Sequence, residues 1–550
     1  MIDAIQLLFV IGILGSAILA GWRLSPYIVR VFARAPGRLD RVLNPIENGI
    51  YRVTGVNPGH RMGWKEYFFA ALLVNIVQMA IAFIILTYQK ILPLNPQHFP
   101  GISWSLALNT VVSFATNTNL QHYNGEYVLS YFSQMSAIQF LQFTSAATGI
   151  CVAIAFTRGL TSGSKDMGNF YVDFVRSITR ILIPLCLVAS VVLVWLGIPQ
   201  TISGYVSATT VEGLVNGASE IIRIGPVASL VSIMQLGTNG GGYYGANSAN
   251  PFQNPSPATD IFEIFLMLLL PTTLCFVYGQ VLGKKRETRP LLWGAYLLFA
   301  IDLVIGLIPN TVLGAGIETR FGGFFSAFWT VVTTAVTTGS VNSSLGGMHA
   351  LTILAAFMGM LIQSTPGGKG VGLMYMVMYI IITVFIVGLM SGRTPEYLGI
   401  KITSRDVKLV MIAFLIHPIV ILIPTLLAFA TGAAAAIGVG TNASGFTQIF
   451  YEFTSAAANN GSDFLGASAN TVFFNVATAV VMFLGRYAPI GILVALSGSM
   501  IGRKRGDEVG LKTDSPIFTV VLVASILILV VLTFFPFLAL GPILSYFQGA

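Results

Sequence analysis

Apolar runs of about 20 residues recur from one end of this chain to the other, and they constrain its fold more than any other feature. A run of about 20 apolar residues can cross a lipid bilayer as a helix. Only 9% of the 550 residues are charged, whereas a soluble domain carries about 25%. This excludes an ordinary soluble enzyme and a nucleic-acid-binding protein, and it indicates an all-α polytopic membrane protein. The predicted spans lie at roughly 3–22, 66–88, 131–157, 172–196, 261–282, 291–308, 350–390, 409–430, 471–500 and 517–540.

The stretch 350–390 needs separate treatment because STPGGKG (364–370) interrupts it, so that it is either two spans or one broken span. Basic residues near span ends mark the cytoplasmic side of a membrane protein. The loops 23–65, 158–180, 284–289, 393–408 and 502–512 hold 24 of the 29 Lys and Arg residues. These five loops lie on the same side of the membrane only if the stretch 350–390 crosses it once. We therefore predict ten spans, with the seventh broken at 364–370 and both termini outside, and we interpret the basic residues as a topology signal.

Four outward connections, at roughly 89–130, 197–260, 309–349 and 431–470, are too apolar for exposed loops. Each contains an apolar run that is too short to cross a bilayer, followed by a small polar string. The strings are TNTNLQ (116–121), GTNGGG (237–242), TTGSVN (337–342) and ANNGSD (458–463). This recurrence predicts four repeats of span, pore helix, filter string and span around one pore. The predicted boundaries are 66–157, 172–282, 291–390 and 409–500, flanked by an N-terminal span and basic loop at 1–65 and a C-terminal span at 513–550.

The composition of the strings indicates what such a pore would conduct. Glycine permits the backbone conformations that aim successive carbonyls inward, and rings of neutral oxygens replace the hydration shell of a monovalent cation. Divalent cations usually require carboxylates, and Asp463 is the only acid in the four strings. The alternative is that each string is a plain turn, since Asn, Gly and Thr are common turn residues.

Four longer segments carry a family resemblance. SFATNTNLQHYNGE (113–126), QLGTNGGGYYGANSANPFQNP (235–255), SAAANNGSDF (455–464) and GLMSGRTPEYLGIKI (388–402) resemble the potassium-binding A subunit of Kdp potassium-transporting ATPases. The resemblance covers essentially the whole chain. It implies a subunit of the bacterial plasma membrane that takes K⁺ from outside through a selectivity filter. It also implies transfer of the ion to a P-type ATPase B subunit, with a C subunit and a small F peptide completing the complex.

The resemblance also implies which residues form the filter. They are Asn117, Thr118, Asn119 and Gln121 in the first string, Thr238, Asn239 and Gly240 in the second, Thr337, Thr338 and Gly339 in the third, and Asn459, Asn460 and Gly461 in the fourth, with Asn247 further out at the entrance. The third string departs from the Ser-Cys-Gly of better-known members, although threonine hydroxyls still supply oxygens.

Four further positions are implied in gating or coupling. Better-known members have an acidic residue at the position of Gln363, so its role is not transferred, and Lys369 is either a tethered cation or a partner of a helix-end carbonyl. Arg486 lies in the ninth span, where a basic residue of the superfamily regulates the ion below the filter; the alternative is an arginine that reaches the interface. Arg393 either contacts the ATPase partner or is a plain cytoplasmic cation, and its Thr-Pro-Glu string predicts a helix start.

Motifs for catalysis are absent from the sequence. It contains neither a DKTGT-type phosphorylation site nor a GxxxxGK[ST] phosphate loop. We therefore predict a translocating subunit that carries K⁺, binds no ATP and is not catalytic alone. The alternative is a passive K⁺ channel or ion-coupled symporter of the same superfamily. A lipid-modifying enzyme would need a catalytic cluster at the interface, and the sequence shows none.

Overall fold

The computed structural model describes residues 4–210, 219–309, 317–368, 370–506 and 512–548, almost all of them helical or in short connections. Within this described part, ten helices are long and apolar enough to cross a membrane, which confirms the predicted fold class. Their bounds are Ala4–Phe32, Trp64–Thr87, Tyr131–Leu160, Phe170–Trp195, Pro257–Val281, Lys285–Leu307, Val371–Met390, Ser404–Ala430, Val472–Met500 and Pro516–Gln548.

Four shorter helices follow the second, fourth, sixth and eighth spans, as the sequence predicted. We call them pore helices 1 to 4; they are Trp104–Ala115, Val227–Leu236, Gly322–Ala335 and Ala443–Ala457. Almost every side chain in them is buried, so protein surrounds these helices. Irregular backbone at membrane depth is tolerated only in such surroundings.

The seventh span is broken as predicted. A helix of 13 residues, Ala350–Ile362, precedes the helix Val371–Met390. The remaining described elements are the helices Asp40–Thr54, Gly125–Val128 and Ala433–Ala436, the 3₁₀ turns Gln89–Ile91, Asn247–Ala249, Leu345–Gly347 and Gly466–Ala469, and two antiparallel strand pairs, Val206–Thr209 with Ser219–Ile222 and Glu396–Tyr397 with Ile400–Lys401.

The first helix is longer than predicted. The sequence placed its end near residue 22, where the charged residues begin, but the helix continues to Phe32. A charged residue ends an apolar run without breaking a helix, and the helix stops only before Pro36 and Gly37. Much of the predicted loop 23–65 is therefore helical, including Asp40–Thr54.

The five basic loops meet at one end of the bundle. The joining hydrogen bonds run from Met62 N to Gly168 O at 2.8 Å, from Arg505 Nη2 to Leu160 O at 2.5 Å, from Arg505 Nη1 to Leu398 O at 3.0 Å and from Thr513 Oγ1 to Glu287 Oε1 at 2.9 Å. Because Thr513 directly follows the loop 502–512, these bonds connect all five loops to one another. The five basic loops, which the sequence predicts on one side of the membrane, are thus also close to one another in the fold.

Both ends of the described chain lie near the opposite face. Phe9 packs edge-on against Phe325 at the start of pore helix 3, with ring centroids 6.1 Å apart. Tyr546 packs against His349 at 5.7 Å, in the connection that follows the third string. Both ends of the described chain therefore lie beside the segment that contains pore helix 3 and the third string.

Candidate ion-binding site

The four pore helices end in the same register, one residue before a common backbone turn. Two residues beyond each helix, the chain takes a left-handed conformation, with φ of 63° at Asn117, 48° at Thr238, 51° at Thr337 and 51° at Asn459. Residues other than glycine seldom adopt such angles. Four occurrences at equivalent positions indicate one shared conformation rather than four unrelated turns.

A second left-handed position follows two residues later in every string. It is Asn119 at 58°, Gly240 at 99°, Gly339 at 92° and Gly461 at 106°. When the four strings are aligned on these left-handed positions, Val336 is equivalent to Thr116, Gly237 and Ala458. The third string therefore begins one residue earlier than its polar composition indicates.

The strings turn their N–H groups back toward the pore helices. The bonds run from Thr118 N to Ser113 O at 2.9 Å, from Asn239 N to Met234 O at 2.8 Å, from Thr338 N to Thr333 O at 2.7 Å and from Asn460 N to Ser455 O at 2.8 Å. In a trans peptide the carbonyl points away from the N–H that follows it. The carbonyls of the preceding residues, Asn117, Thr238, Thr337 and Asn459, therefore face away from their helices.

The N–H group of the following residue in each string also donates back toward its pore helix. Asn119 N donates to Ser113 O at 3.1 Å and Gly240 N to Met234 O at 3.3 Å. Gly339 N and Gly461 N each donate at 2.9 Å to a pore-helix hydroxyl, on Thr333 and Ser455. By the same argument, a second set of carbonyls faces away from the helices; it belongs to Thr118, Asn239, Thr338 and Asn460.

Contacts between neighbouring strings close them into a ring. A Cβ placed on Gly240 would lie 1.9 Å from the Thr338 carbonyl oxygen; one on Gly339 would lie 1.9 Å from the Asn460 oxygen, and one on Gly461 would lie 2.0 Å from the Thr118 oxygen. Asn117 Nδ2 completes the circle by donating to the Thr238 carbonyl at 2.7 Å. The two sets of carbonyls are thus two stacked rings of four, one from each string.

The first string departs from this symmetry at Asn119, where the others have glycine. Its neighbour in the second string provides the space, because a Cβ on Gly241 would lie 2.7 Å from the Asn119 Cβ. Both amide atoms of Asn119 are buried without a hydrogen-bond partner among the residues described, as are the hydroxyls of Thr337 and Thr338. Buried polar atoms are normally satisfied. Three side chains beside the two rings are therefore buried without a hydrogen bond to the described chain.

The other predicted amide side chains hold the strings from behind. Ser145 Oγ donates to Asn117 Oδ1 at 2.9 Å and to Asn239 Oδ1 at 3.2 Å. Gln121 exchanges two hydrogen bonds with the backbone of Gly242, at 3.1 and 2.9 Å. These side chains fix the geometry of the rings, whereas the sequence had suggested that their oxygens face the ion.

The fourth string is held by its own side chains. Asn460 Nδ2 donates to the Thr333 carbonyl at 2.9 Å, and Asn459 Nδ2 donates to Thr118 Oγ1 at 3.0 Å. These bonds tie the fourth string to the third pore helix and to the first string.

Buried acids beside the strings were missed by the sequence argument. His122 Nε2 lies 3.0 Å from Glu452 Oε1, and His122 Nδ1 lies 2.7 Å from Asn475 Oδ1. Asp463 is nearby: burial and the Glu452 carboxylate raise the pKa of Asp463 to about 7. Glu452 is the only charged residue in the four pore helices, and that signal could have identified it.

A second acid lies behind the second and third strings. Glu263 Oε2 accepts from Gln235 Nε2 at 2.6 Å and from Ser248 Oγ at 2.8 Å. Asn247, predicted at the entrance, adjoins this network, since Gln253 Nε2 donates to its Oδ1 at 3.4 Å. In the described part of the chain, no group of three or more His, Cys, Asp or Glu could hold a metal ion, so a cation at the rings would rely on neutral oxygens.

The break in the seventh span lies against the inner end of the second and third strings. A Cβ on Gly368 would be 2.1 Å from the Val336 carbonyl oxygen and 2.6 Å from Thr238 Oγ1. Gln363 ends the preceding helix in a left-handed conformation, with φ of 56°. Lys369 lies outside the described residues.

Arg486 occupies the inner end on the opposite side. Its Nη2 donates to the Ser145 carbonyl at 3.2 Å, and only 1% of the residue is exposed. The adjacent Gly485 packs against the Ala457 carbonyl, and Tyr487 Oη donates to the Ala115 carbonyl at 3.4 Å. Arg486 therefore lies between the first and fourth strings, and the alternative of an arginine that reaches the interface is wrong.

Arg393 is exposed at the end where the basic loops meet, and its side chain makes no hydrogen bond or ion pair with the described chain. The predicted helix start at Thr-Pro-Glu is wrong, because Glu396–Tyr397 pairs with Ile400–Lys401 as a hairpin. The burial of Tyr397 favours the hairpin over a helix start, because its side chain is inserted into the bundle and its hydroxyl lies 2.7 Å from that of Tyr278.

Comparisons with known proteins agree with this geometry. The family described as "Potassium-transporting ATPase A subunit" matches residues 11–547. Two curated proteins named "Potassium-transporting ATPase potassium-binding subunit" are similar to the chain. The protein from Alicyclobacillus acidocaldarius is 45% identical over 545 residues, covering 96% of each chain. The protein from Caldanaerobacter subterraneus is 43% identical over 542 residues, covering 95% of this chain and 96% of the relative.

A solved structure has a similar fold. It is the crystal structure of the potassium transporter TrkH from Vibrio parahaemolyticus, with a TM-score of 0.53 and 16% sequence identity. The similarity covers 91% of this chain and 100% of that one. The fold, the four strings and the match over nearly the full length lead to one conclusion: the chain belongs to the potassium-transporting ATPase A subunit family, KdpA.

Proposed function

We propose that this chain binds K⁺ between the two carbonyl rings and translocates it as part of an ATP-driven uptake complex. The observation that carries the proposal is the pair of stacked rings, which offers up to eight neutral oxygens to one ion. Such rings replace the hydration shell of K⁺. The unpartnered side chains of Asn119, Thr337 and Thr338 lie where they could contact a bound ion or its remaining water.

The pore helices add an electrostatic preference for a cation. Each one ends immediately before its string, so four helix C-termini converge on the rings. A helix C-terminus carries a partial negative charge of about half an elementary charge. Four of these favour a monovalent cation, without the carboxylate ligands that divalent cations prefer.

The inner end supplies the elements for controlled release. Arg486 on one side would repel an ion leaving the rings, and the break at 364–370 on the other side would gate its exit. Gln363 and Lys369 belong to this break, and the neutral Gln363 would leave the gate without the acid of better-known members.

A partner must supply the energy. The relatives' names contain both "potassium-binding subunit" and "ATPase", which supports ATPase partner subunits. The resemblance of the sequence motifs implies that these are a P-type ATPase B subunit, a C subunit and a small F peptide. Arg393, exposed beside the buried hairpin, is positioned to contact that partner. The clustered basic loops would face the cytoplasm of a bacterial cell, and both termini would then lie outside the plasma membrane.

A passive K⁺ channel or ion-coupled symporter is the second candidate. The structural similarity to TrkH, named a potassium transporter, favours it. Identities of 43–45% over nearly the whole chain to ATPase subunits favour the first candidate.

K⁺-stimulated ATP hydrolysis separates the two candidates. The tagged chain would be purified in mild detergent together with the proteins that it retains, and ATPase activity would be measured with K⁺ and with Na⁺. We expect K⁺-dependent activity that is lost in Gly240→Asp, because the side chain would enter the ring. K⁺ flux in liposomes without any ATPase activity would establish the passive transporter instead.

A further inference from the structure

A groove of about 730 Å³ opens between the first, fifth and sixth spans, far from the strings. It lies at the end of the bundle where the basic loops meet. Three cations line it: Arg23 from the first span, and Lys285 and Arg289 from the start of the sixth.

The three cations lack acidic partners. All three side chains are exposed, and none forms an ion pair with a described residue. The acid nearest in sequence, Glu287, is buried and turned away, accepting from Thr513 Oγ1 at 2.9 Å. The lining of the groove therefore carries three cations and no acidic residue.

Two exposed tryptophans also line the groove, Trp22 directly beside Arg23 and Trp293 one helical turn deeper than Arg289. Trp22 is 52% exposed and Trp293 is 57% exposed, and the Arg23 guanidinium lies 5.4 Å from the centre of the Trp22 ring. Tryptophan is enriched at the depth of lipid headgroups, where its apolar ring and polar N–H are both accommodated.

The groove becomes apolar toward the membrane centre. Ile18, Phe276 and Leu292 also line it, and each lies on its helix about one turn deeper than the polar residues. The groove is thus cationic at the end where the basic loops meet and apolar toward the membrane centre.

We propose that this groove binds an anionic phospholipid of the cytoplasmic leaflet. Arg23, Lys285 and Arg289 contact the headgroup phosphate, and Ile18, Phe276 and Leu292 contact the acyl chains. A protein partner would need acids matched to the three cations and would have to displace lipid from two exposed tryptophans. A phospholipid has the required amphipathic order along its own length.

Quenching of tryptophan fluorescence by brominated lipid tests this proposal in the purified complex. The complex would be titrated with brominated phosphatidylglycerol and, separately, with brominated phosphatidylcholine. The chain has six tryptophans, so the groove signal is the quenching that disappears in Trp22→Phe/Trp293→Phe. We expect the groove signal to saturate at a lower concentration of phosphatidylglycerol than of phosphatidylcholine.

The matched variants are Arg23→Gln/Arg289→Gln and, as a control of equal charge change, Arg286→Gln/Lys504→Gln outside the groove. Each cation near an anionic surface contributes about fivefold in affinity, so the groove variant should lose about 25-fold for phosphatidylglycerol while the control keeps its affinity. Equal losses in both variants would overturn the proposal, because they would indicate general surface charge. Equal affinity for the two lipids, or no groove signal in the assembled complex, would also overturn it.

Discussion

Replacing Gly240 by alanine tests the ring geometry with the smallest possible side chain. Gly240 has φ of 99°, and its added Cβ would lie 1.9 Å from the Thr338 carbonyl oxygen. Real Cβ atoms keep at least about 3.0 Å from such an atom, so the two strings must separate by 3.0 − 1.9, about 1.1 Å. The Thr338 carbonyl belongs to one of the two rings, and a displacement of this size removes it as an ion ligand.

The magnitude follows from the backbone strain. A left-handed conformation costs a residue other than glycine about 1–2 kcal/mol. In the variant without bound K⁺, the second string relaxes and the strain is released. Ion binding must then restore the strained conformation, so the K⁺ concentration for half-maximal activity rises by about 5- to 30-fold. The loss of a carbonyl ligand adds to this, so we expect the half-saturating K⁺ concentration, measured by K⁺-stimulated ATP hydrolysis, to increase at least tenfold.

Gly197→Ala is the matched control. Gly197 has φ of 105°, close to that of Gly240, but its added Cβ would meet nothing nearer than 3.7 Å. The control should carry the same backbone strain and retain the K⁺ affinity of the parent protein. If Gly240→Ala keeps the parent affinity, or if both variants weaken it equally, the assignment of Gly240 to the ring is refuted.

Three further predictions concern the surroundings of the rings and the stability of the fold. Arg486→Gln removes the cation at the inner end, so passive Rb⁺ flux in liposomes without ATP should rise; an unchanged flux would remove Arg486 from the ion path. Burial and Glu452 raise the pKa of Asp463 to about 7, so this carboxyl is neutral at pH 6 and charged at pH 8; the half-saturating K⁺ concentration should fall as external pH rises, and Asp463→Asn should abolish that dependence. Arg180→Ala removes the cation 2.6 Å from the buried Glu47 and leaves it only the more distant Arg176 at 3.6 Å, which should cost about 3 kcal/mol of stability and lower the melting temperature, whereas breaking the exposed His60–Glu66 pair should cost under about 1 kcal/mol.

The ten spans and the four strings were predictable because both depend on local composition. An apolar run must be buried in lipid or protein wherever it occurs, and basic loops mark one side regardless of packing. The small polar residues that follow each short apolar run are likewise visible in the local composition. These features need no knowledge of which residues meet in space.

Features that depend on distant contacts were not predictable. His122 meets Glu452 across 330 positions of sequence, and nothing in the segment 113–126 that contains His122 indicates this partner. The placement of Asn119 depends on Gly241 in another string. The hairpin at 396–401 forms because Tyr397 finds a buried partner in Tyr278, although its sequence is compatible with a helix start.

The alignment of the third string shows how geometry adds to composition. The polar run begins at Thr337, yet the left-handed positions at Thr337 and Gly339 place Val336 in the first position of the string. A valine there is tolerated because the strings contribute main-chain carbonyls, which every residue type provides. Composition therefore located this string to within one residue, and the backbone angles fixed its register.

Anomalous scattering from Tl⁺, a heavy substitute for K⁺, tests the central claim most directly. Crystals of the complex soaked in Tl⁺ should show a peak on the axis between two rings of carbonyls, those of Asn117, Thr238, Thr337 and Asn459 and those of Thr118, Asn239, Thr338 and Asn460. The same peak should be lost when excess K⁺ competes and should persist with excess Na⁺. A strong peak elsewhere in the chain, with none between the rings, would contradict the assignment of these strings as the K⁺ site.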